Sequence, residues 1–276
     1  FAIGQETLGS IIVPAARTGV TALRPTFGRV SRTGTMTLCW TLDKIGPMAR
    51  SAEDCAIVLE AIHGPGSAAV DPTVEPIPFQ WNPEHDLSRI RVGYDKAAFD
   101  SPRQDADSEV AVLQQLAAMG VRLVPVDLPH DLPVNAMLFV RVEAVAALDE
   151  ISRAGGLGIL AEQHEAAWPN FIRSGRLVSA FEYIQANRLR TVLMERLDAC
   201  FRNVDVIVAP TQPVVSMTNL AGLPSLVAPA GFNADRTPTS ITFIGRPFGE
   251  GEICTGARAW QEATIWSRLH PEMFST

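Results

Sequence analysis

The sequence predicts an α/β fold, and three observations carry that reading. Residues 90–126 run as a short apolar strand, an amphipathic helix and a second apolar strand, a pattern that permits a parallel crossover. Asp205–Ala209 is an unbroken apolar strand stopped by Pro210, with two more short strands expected at Leu226–Pro229 and Ser240–Ile244. Helical periodicity fills much of what lies between them. We expect one domain over residues 1–276.

The elements follow in order. Residues 1–50 are rich in Gly, Thr and Pro around short apolar stretches, which predicts strands and tight turns in place of long helices. Ser51 with Asp54 has the pattern of a capping box, and Ala52, Cys55, Ala56, Leu59 and Ile62 recur at helical spacing behind it. Gly64-Pro65 should stop that helix, because glycine tolerates a left-handed cap and proline cannot continue. Residues 64–88 are rich in proline and charge and read as a surface excursion. Ile90–Tyr94 is the next strand. Val110, Leu113, Leu116 and Ala117 mark a helix ended by Gly120, and Val121–Val126 is the strand after it. Two helical regions are expected at roughly 133–150 and 176–201. In the second, Leu177, Phe181, Ile184, Leu189, Val192, Leu193 and Leu197 form a broad apolar stripe expected to face the core. A last helix is expected from Glu250 to Leu269. Trp40, Tyr183 and Phe232 are also expected in the core.

Composition excludes several function classes. The 276 residues are 47% hydrophobic and 19% charged, which argues against disorder. The net charge is −7, with no basic stripe of the kind that phosphate-backbone binding needs, so direct nucleic-acid binding is not expected. Apolar runs such as Val206–Ala209 are too short for a membrane span. The four cysteines are scattered, with no Cys-x-x-Cys pair and no zinc-like grouping with histidine. They read as reduced, mostly buried thiols in a cytoplasmic protein. Phe1 in place of an initiator Met reads as a cut in the chain. No oligomeric state is legible.

The chemistry-bearing segment is Gly4-Gln5-Glu6-Thr7-Leu8-Gly9-Ser10-Ile11, with Pro14-Ala15 close behind. Small residues beside a serine let several backbone N–H groups converge on one oxyanion. A Gly-Ser pair in a turn serves structure as readily, and the segment lacks the Gly-x-Ser-x-Gly frame of a nucleophile elbow. A serine hydroxyl also needs a proton acceptor. His63, His85, His130, His164 and His270 are available, but none carries a local signature that ties it to Ser10. Arg24 and Arg29 are expected to pair with buried carboxylates or carbonyls, and Asp43 to cap a turn.

The segment as a whole resembles the amidase signature family. The resemblance continues through Leu23-Arg24-Pro25-Thr26-Phe27-Gly28-Arg29-Val30-Ser31, Leu42-Asp43-Lys44-Ile45-Gly46-Pro47-Met48, Asp205–Thr211, Asn219-Leu220-Ala221-Gly222-Leu223-Pro224-Ser225 and Ile244-Gly245-Arg246-Pro247-Phe248. It implies a mixed β-sheet flanked by helices on both faces, with the family's N-terminal part missing, so that the chain reads as a fragment running from the nucleophile segment to the C-terminus. It implies that Ser10 is the nucleophile and that the oxyanion hole is made by the backbone N–H groups of Thr7, Leu8 and Gly9. It also implies a second serine on a cis peptide bond and a lysine, both further upstream, as the proton route. Lys44 and Lys96 do not stand at the family's lysine position. Leu8 occupies a place often held by glycine, and Ile12 one where arginine is common. The implied activity is hydrolysis of a small-molecule or peptide carboxamide through a serine acyl-enzyme, chemistry that needs no metal or organic cofactor. The alternatives are one subunit of an amidotransferase that works on an acyl-tRNA, and an inactive scaffold.

Overall fold

The computed structural model describes residues 1–64, 70–84, 87–102 and 106–270. Pro65, expected to stop the first long helix, and His85 lie outside the described residues. Eight strands form one mixed sheet among the described residues: β1 (Ala2–Glu6), β2 (Thr21–Arg24), β3 (Lys44–Ala49), β4 (Val92–Asp95), β5 (Leu123–Val126), β6 (Val206–Pro210), β7 (Ser225–Phe232) and β8 (Pro238–Gly245). Their order across the sheet is β1-β3-β2-β7-β8-β6-β4-β5. The run from β1 to β6 is antiparallel, whereas β6, β4 and β5 are parallel. The crossover expected over 90–126 therefore forms.

Ten α-helices accompany the sheet among the described residues: α1 (Ile12–Thr18), α2 (Ala52–Ile62), α3 (Lys96–Asp100), α4 (Ala106–Ala118), α5 (Ala136–Ala147), α6 (Asp149–Arg153), α7 (Trp168–Gly175), α8 (Ala180–Cys200), α9 (Thr211–Leu220) and α10 (Glu250–Ala263). Strand alternation sorts the core into two layers. In β6, Val206 and Val208 pack with α2, α4 and α10, while Ile207 and Ala209 face α5, α8 and α9. Helix α1 lies on the second face, where Ile11, Ile12, Ala15 and Ala16 meet Ala22, Val215 and Val227. The sheet is thus covered on both faces.

The expectation of a missing N-terminal part needs correction. Residues 2–18 are present as β1 and α1, with β1 paired to β3 from Ala2↔Met48 to Glu6↔Lys44. Close approach of β2 and β3 requires Gly46, where a Cβ would lie 2.2 Å from the carbonyl oxygen of Leu23.

Several local readings hold. Ser51 caps α2 by accepting the Asp54 N–H at 3.0 Å, although the Asp54 carboxylate returns to the Ser51 hydroxyl and not to its backbone. The apolar stripe of α8 behaves differently from its expectation. Leu193 and Leu197 are buried, but Phe181 and Ile184 are exposed, Leu189 and Val192 are also open, and Leu177 falls in an exposed turn ahead of the helix. Trp40 and Phe232 are exposed as well.

Candidate active site

Four strands of the antiparallel half meet at one end of the sheet. There β1 ends in Glu6, β3 begins at Lys44, β2 ends in Arg24 and β7 begins at Ser225. Glu6 stands opposite Lys44 and Arg24 opposite Ser225, so each pair shares a face. The Ser10 turn leaves the sheet from this cluster.

Glu6 and Arg24 are both 0% exposed and form an ion pair at 2.9 Å. One oxygen of Glu6, Oε1, takes Arg24 and the Asn219 side-chain amide, the latter at 2.7 Å. The other, Oε2, accepts the backbone N–H groups of Ile11 at 2.7 Å and Ile12 at 2.8 Å. Arg24 donates further to the Leu223 carbonyl at 2.8 Å and the Ser225 hydroxyl at 2.7 Å. Burial pushes the Glu6 carboxyl up, but the charges of Arg24 and Lys44 and the Ile12 N–H outweigh it and hold the group below its ordinary value. Lys44 is buried too and donates to the Leu42 carbonyl. Burial, reinforced by the Arg24 charge, pulls its ammonium down to about 7 against the opposing pull of Glu6 and Asp43.

The turn itself is held from both sides. Thr7 donates its hydroxyl to Asp43 at 2.5 Å, and Asp43 also accepts the N–H groups of Leu38 at 2.9 Å and Cys39 at 3.0 Å. The Gly9 carbonyl accepts the Val13 N–H at 2.8 Å. The N–H groups of Thr7, Leu8, Gly9 and Ser10 donate to no acceptor among the described residues. Leu8 has a negative φ, as do all described non-glycine residues other than Arg236 and Phe248, so its larger side chain does not force the backbone out of line. Ser10 is exposed. Asp43 also lines a cavity of about 310 Å³ with Arg32, Thr35, Thr37 and Trp40.

Gly9 is required by this geometry. Its φ is +115°, and a Cβ there would lie 3.0 Å from the Val13 side chain and 3.1 Å from that of Val215. Gly9→Ala is expected to cost roughly 1–3 kcal/mol, read as a lower urea midpoint at unchanged slope.

Other expected players lie elsewhere. Lys96 pairs with Asp100 on the surface. His130 pairs with the buried Asp95 at 2.7 Å, on the parallel half of the sheet. His63 packs edge-on against Phe79, and His164 lies 3.6 Å from Glu162. Arg29 pairs with the buried Glu250 at 2.8 Å, and Asp43 caps its turn, both as the sequence suggests. Sequence reasoning missed Glu6 and Asn219. The available signal for Glu6 was its position, an acidic residue between a strand and a serine turn with free N–H groups. Among the described residues no group of three or more His, Cys, Asp or Glu is arranged to hold a metal, and no helix is long and apolar enough to cross a membrane.

Comparison with known proteins bears on the family and the fold. A family model described as Amidase matches residues 1–218. The A subunit of glutamyl-tRNA(Gln) amidotransferase from Roseiflexus castenholzii is 33% identical over 99% of this chain and 64% of its own length. The crystal structure of the Thermotoga maritima protein of the same description superposes with a TM-score of 0.76 at 25% identity, over 95% of this chain and 62% of that one. A bacterial aryl acylamidase superposes with a TM-score of 0.78 at 20% identity, over 97% of this chain and 63% of that one, a likeness of fold. The chain thus spans 64% of the curated relative's length. The expectation that it resembles only a C-terminal fragment is corrected by the same findings. The family match begins at residue 1, and that relative aligns with 99% of the chain.

Proposed function

Because the chain belongs to the amidase family, we propose that its Ser10 turn is an acyl-transfer site that cleaves a carboxamide C–N bond. Ser10 Oγ attacks the amide carbon, and the carbonyl oxygen becomes an oxyanion. The unengaged N–H groups of Leu8 and Gly9, with Thr7 beside them, suit that charge, and donors fixed before the reaction stabilise it at no reorganisation cost. Collapse of the intermediate breaks the C–N bond. The hydroxyl proton ends on the leaving nitrogen, which departs as ammonia or an amine, and the acyl group stays on Ser10. Water then releases the acid.

Two uses of that chemistry compete: free hydrolysis, and delivery of the released ammonia to an acyl-tRNA. The observation that favours the second is the alignment of nearly the whole chain with the A subunits of glutamyl-tRNA(Gln) amidotransferases at 28–33% identity. The aryl acylamidase supports free hydrolysis through its fold alone. In the second reading the RNA is held by partner subunits, consistent with the chain's net charge of −7.

The test is ammonia release from primary carboxamides, glutamine included, with and without glutamate-charged tRNA and amidotransferase partner subunits. The reading expects release that rises with the charged tRNA and falls about 1000-fold or more in Ser10→Ala. Release from aryl or alkyl amides, indifferent to tRNA, would favour free hydrolysis. Release that survives Ser10→Ala would overturn both.

A further inference from the structure

We propose that Glu6 is a positioning residue for acyl transfer at Ser10, and that Arg24 and Asn219 hold it in place. The inference rests on the reading of Ser10 as nucleophile and adds to it a group that never touches substrate.

The residues after Ser10, Ile11 and Ile12, present two consecutive N–H groups at the entrance to α1, where no intrahelical acceptor exists. Both go to one oxygen of Glu6. A two-point contact from a single atom fixes the direction in which the chain leaves the turn, and with it the direction of the Ser10 Cα–Cβ bond. It also engages Oε2 with the donors on the C-terminal side of Ser10, while the N–H groups of Thr7, Leu8, Gly9 and Ser10 stay open. The turn thus has its donors divided: two serve its own geometry and those of Thr7, Leu8, Gly9 and Ser10 remain for a ligand.

A carboxylate does this only if it cannot swing. Glu6 is fully buried, and Oε1 is held by the Arg24 guanidinium and the Asn219 amide, at 2.9 and 2.7 Å. Those partners are anchored in turn. Arg24 also holds the Leu223 carbonyl and the Ser225 hydroxyl, and Asn219 also donates to the Val215 carbonyl at 2.9 Å. The chain runs from β7 and α9 through Arg24 and Glu6 to the serine. Residues more than 200 positions away in sequence therefore set the serine's orientation. A neutral amide at position 6 has the right size but the wrong donors. Whichever way Glu6→Gln turns, its NH₂ faces either the Ile11 and Ile12 N–H groups or Arg24 and Asn219.

The experiment measures inactivation of the full chain by a fluorophosphonate probe, separating maximal rate from probe affinity and normalising to folded protein. Hydrogen exchange is followed at the same time. In Glu6→Gln the maximal rate of Ser10 modification is expected to fall about 100-fold with probe affinity little changed, since small displacements of a reacting atom carry penalties of that size. Exchange should quicken at residues 7–12 and not across the core. Ser225→Ala, which keeps Glu6 and removes only an outer contact of Arg24, should fold normally and lose a smaller factor, about 3–10-fold, in the same parameter. That variant decides the matter if Glu6→Gln does not fold. A maximal rate equal to wild type in folded Glu6→Gln, or in Ser225→Ala where Glu6→Gln does not fold, overturns the positioning role while Ser10 stands. Modification undiminished in Ser10→Ala removes the nucleophile, and the positioning role with it.

Discussion

Arg24→Met is expected to destabilise the protein by about 3–5 kcal/mol at neutral pH, the cost of leaving a buried charge without its partner. Glu6 and Arg24 are both 0% exposed, so water cannot take the guanidinium's place. The size of the loss should depend on pH, and its sign follows from the direction of the Glu6 shift. In the wild type the folded carboxyl lies below its ordinary value of 4.5, so it contributes stability above that pH, and the contribution is lost as pH falls through the lower folded value. Without Arg24 the largest remaining influence is burial, which raises the carboxyl. The variant then loses stability as pH rises past the unfolded value. The gap between the two proteins should be small near pH 4 and widen towards pH 7. Urea midpoints at a series of pH values check this. A gap that is constant with pH would show that lost packing, not the uncovered carboxylate, dominates.

Lys44→Met is expected to do the opposite and stabilise the protein at pH 6–7, by about 1–4 kcal/mol. Lys44 is 2% exposed. Its folded ammonium titrates at about 7, against 10.5 in the unfolded chain. Between those values the unfolded state holds a proton that the folded state does not, so wild-type stability should rise with pH across that window, by an amount on the order of 5 kcal/mol. Below about 7 both states are protonated and the full cost of burying the charge is present. Methionine removes that cost, at the expense of one favourable charge beside Glu6. The variant's stability should therefore be flatter from pH 7 to 10 and higher at the acidic end. A wild-type profile without the rise would mean that the ammonium is solvated in the folded state.

How far the fold was legible depended on whether an element has two unlike faces. The segment over 90–126 declared itself because its strands are short and apolar, its helix has one apolar side and Gly120 punctuates it. Helix α9 gave no such signal. Val214, Val215, Met217, Thr218, Asn219 and Leu220 are all buried and only Gln212 and Ser216 are exposed, so polar Thr218 and Asn219 sit inside and blur the apolar stripe. Helix α1 is seven residues long and was hidden among turn-forming residues. The stripe on α8 shows the converse limit. Periodicity established the helix, but Phe181 and Ile184 are open, because a pattern of apolar residues does not say what covers it.

The site divides in the same way. Ser10 was singled out by resemblance to the family's signature segment, since a Gly-Ser turn by itself serves structure as readily; what the turn shows locally is the constraint on Gly9, which at φ +115° has no substitute free of strain. The support beneath the turn was not legible. Glu6 meets Arg24 from 18 residues away and Asn219 from 213, and nothing in the spacing of an acid, a guanidinium and an amide announces that the sheet will bring them together. The sequence suggested that Arg24 would have a buried carboxylate as partner, and only the register of β1, β2, β3 and β7 says which one.

The most direct test of the central claim, that the turn at residue 10 presents a nucleophile, is mass mapping of the protein after reaction with a fluorophosphonate. The account expects one adduct, on the peptide containing Ser10, absent from Ser10→Ala and strongly slowed in Glu6→Gln. An adduct on another residue, or equal modification of wild type and Ser10→Ala, would contradict it.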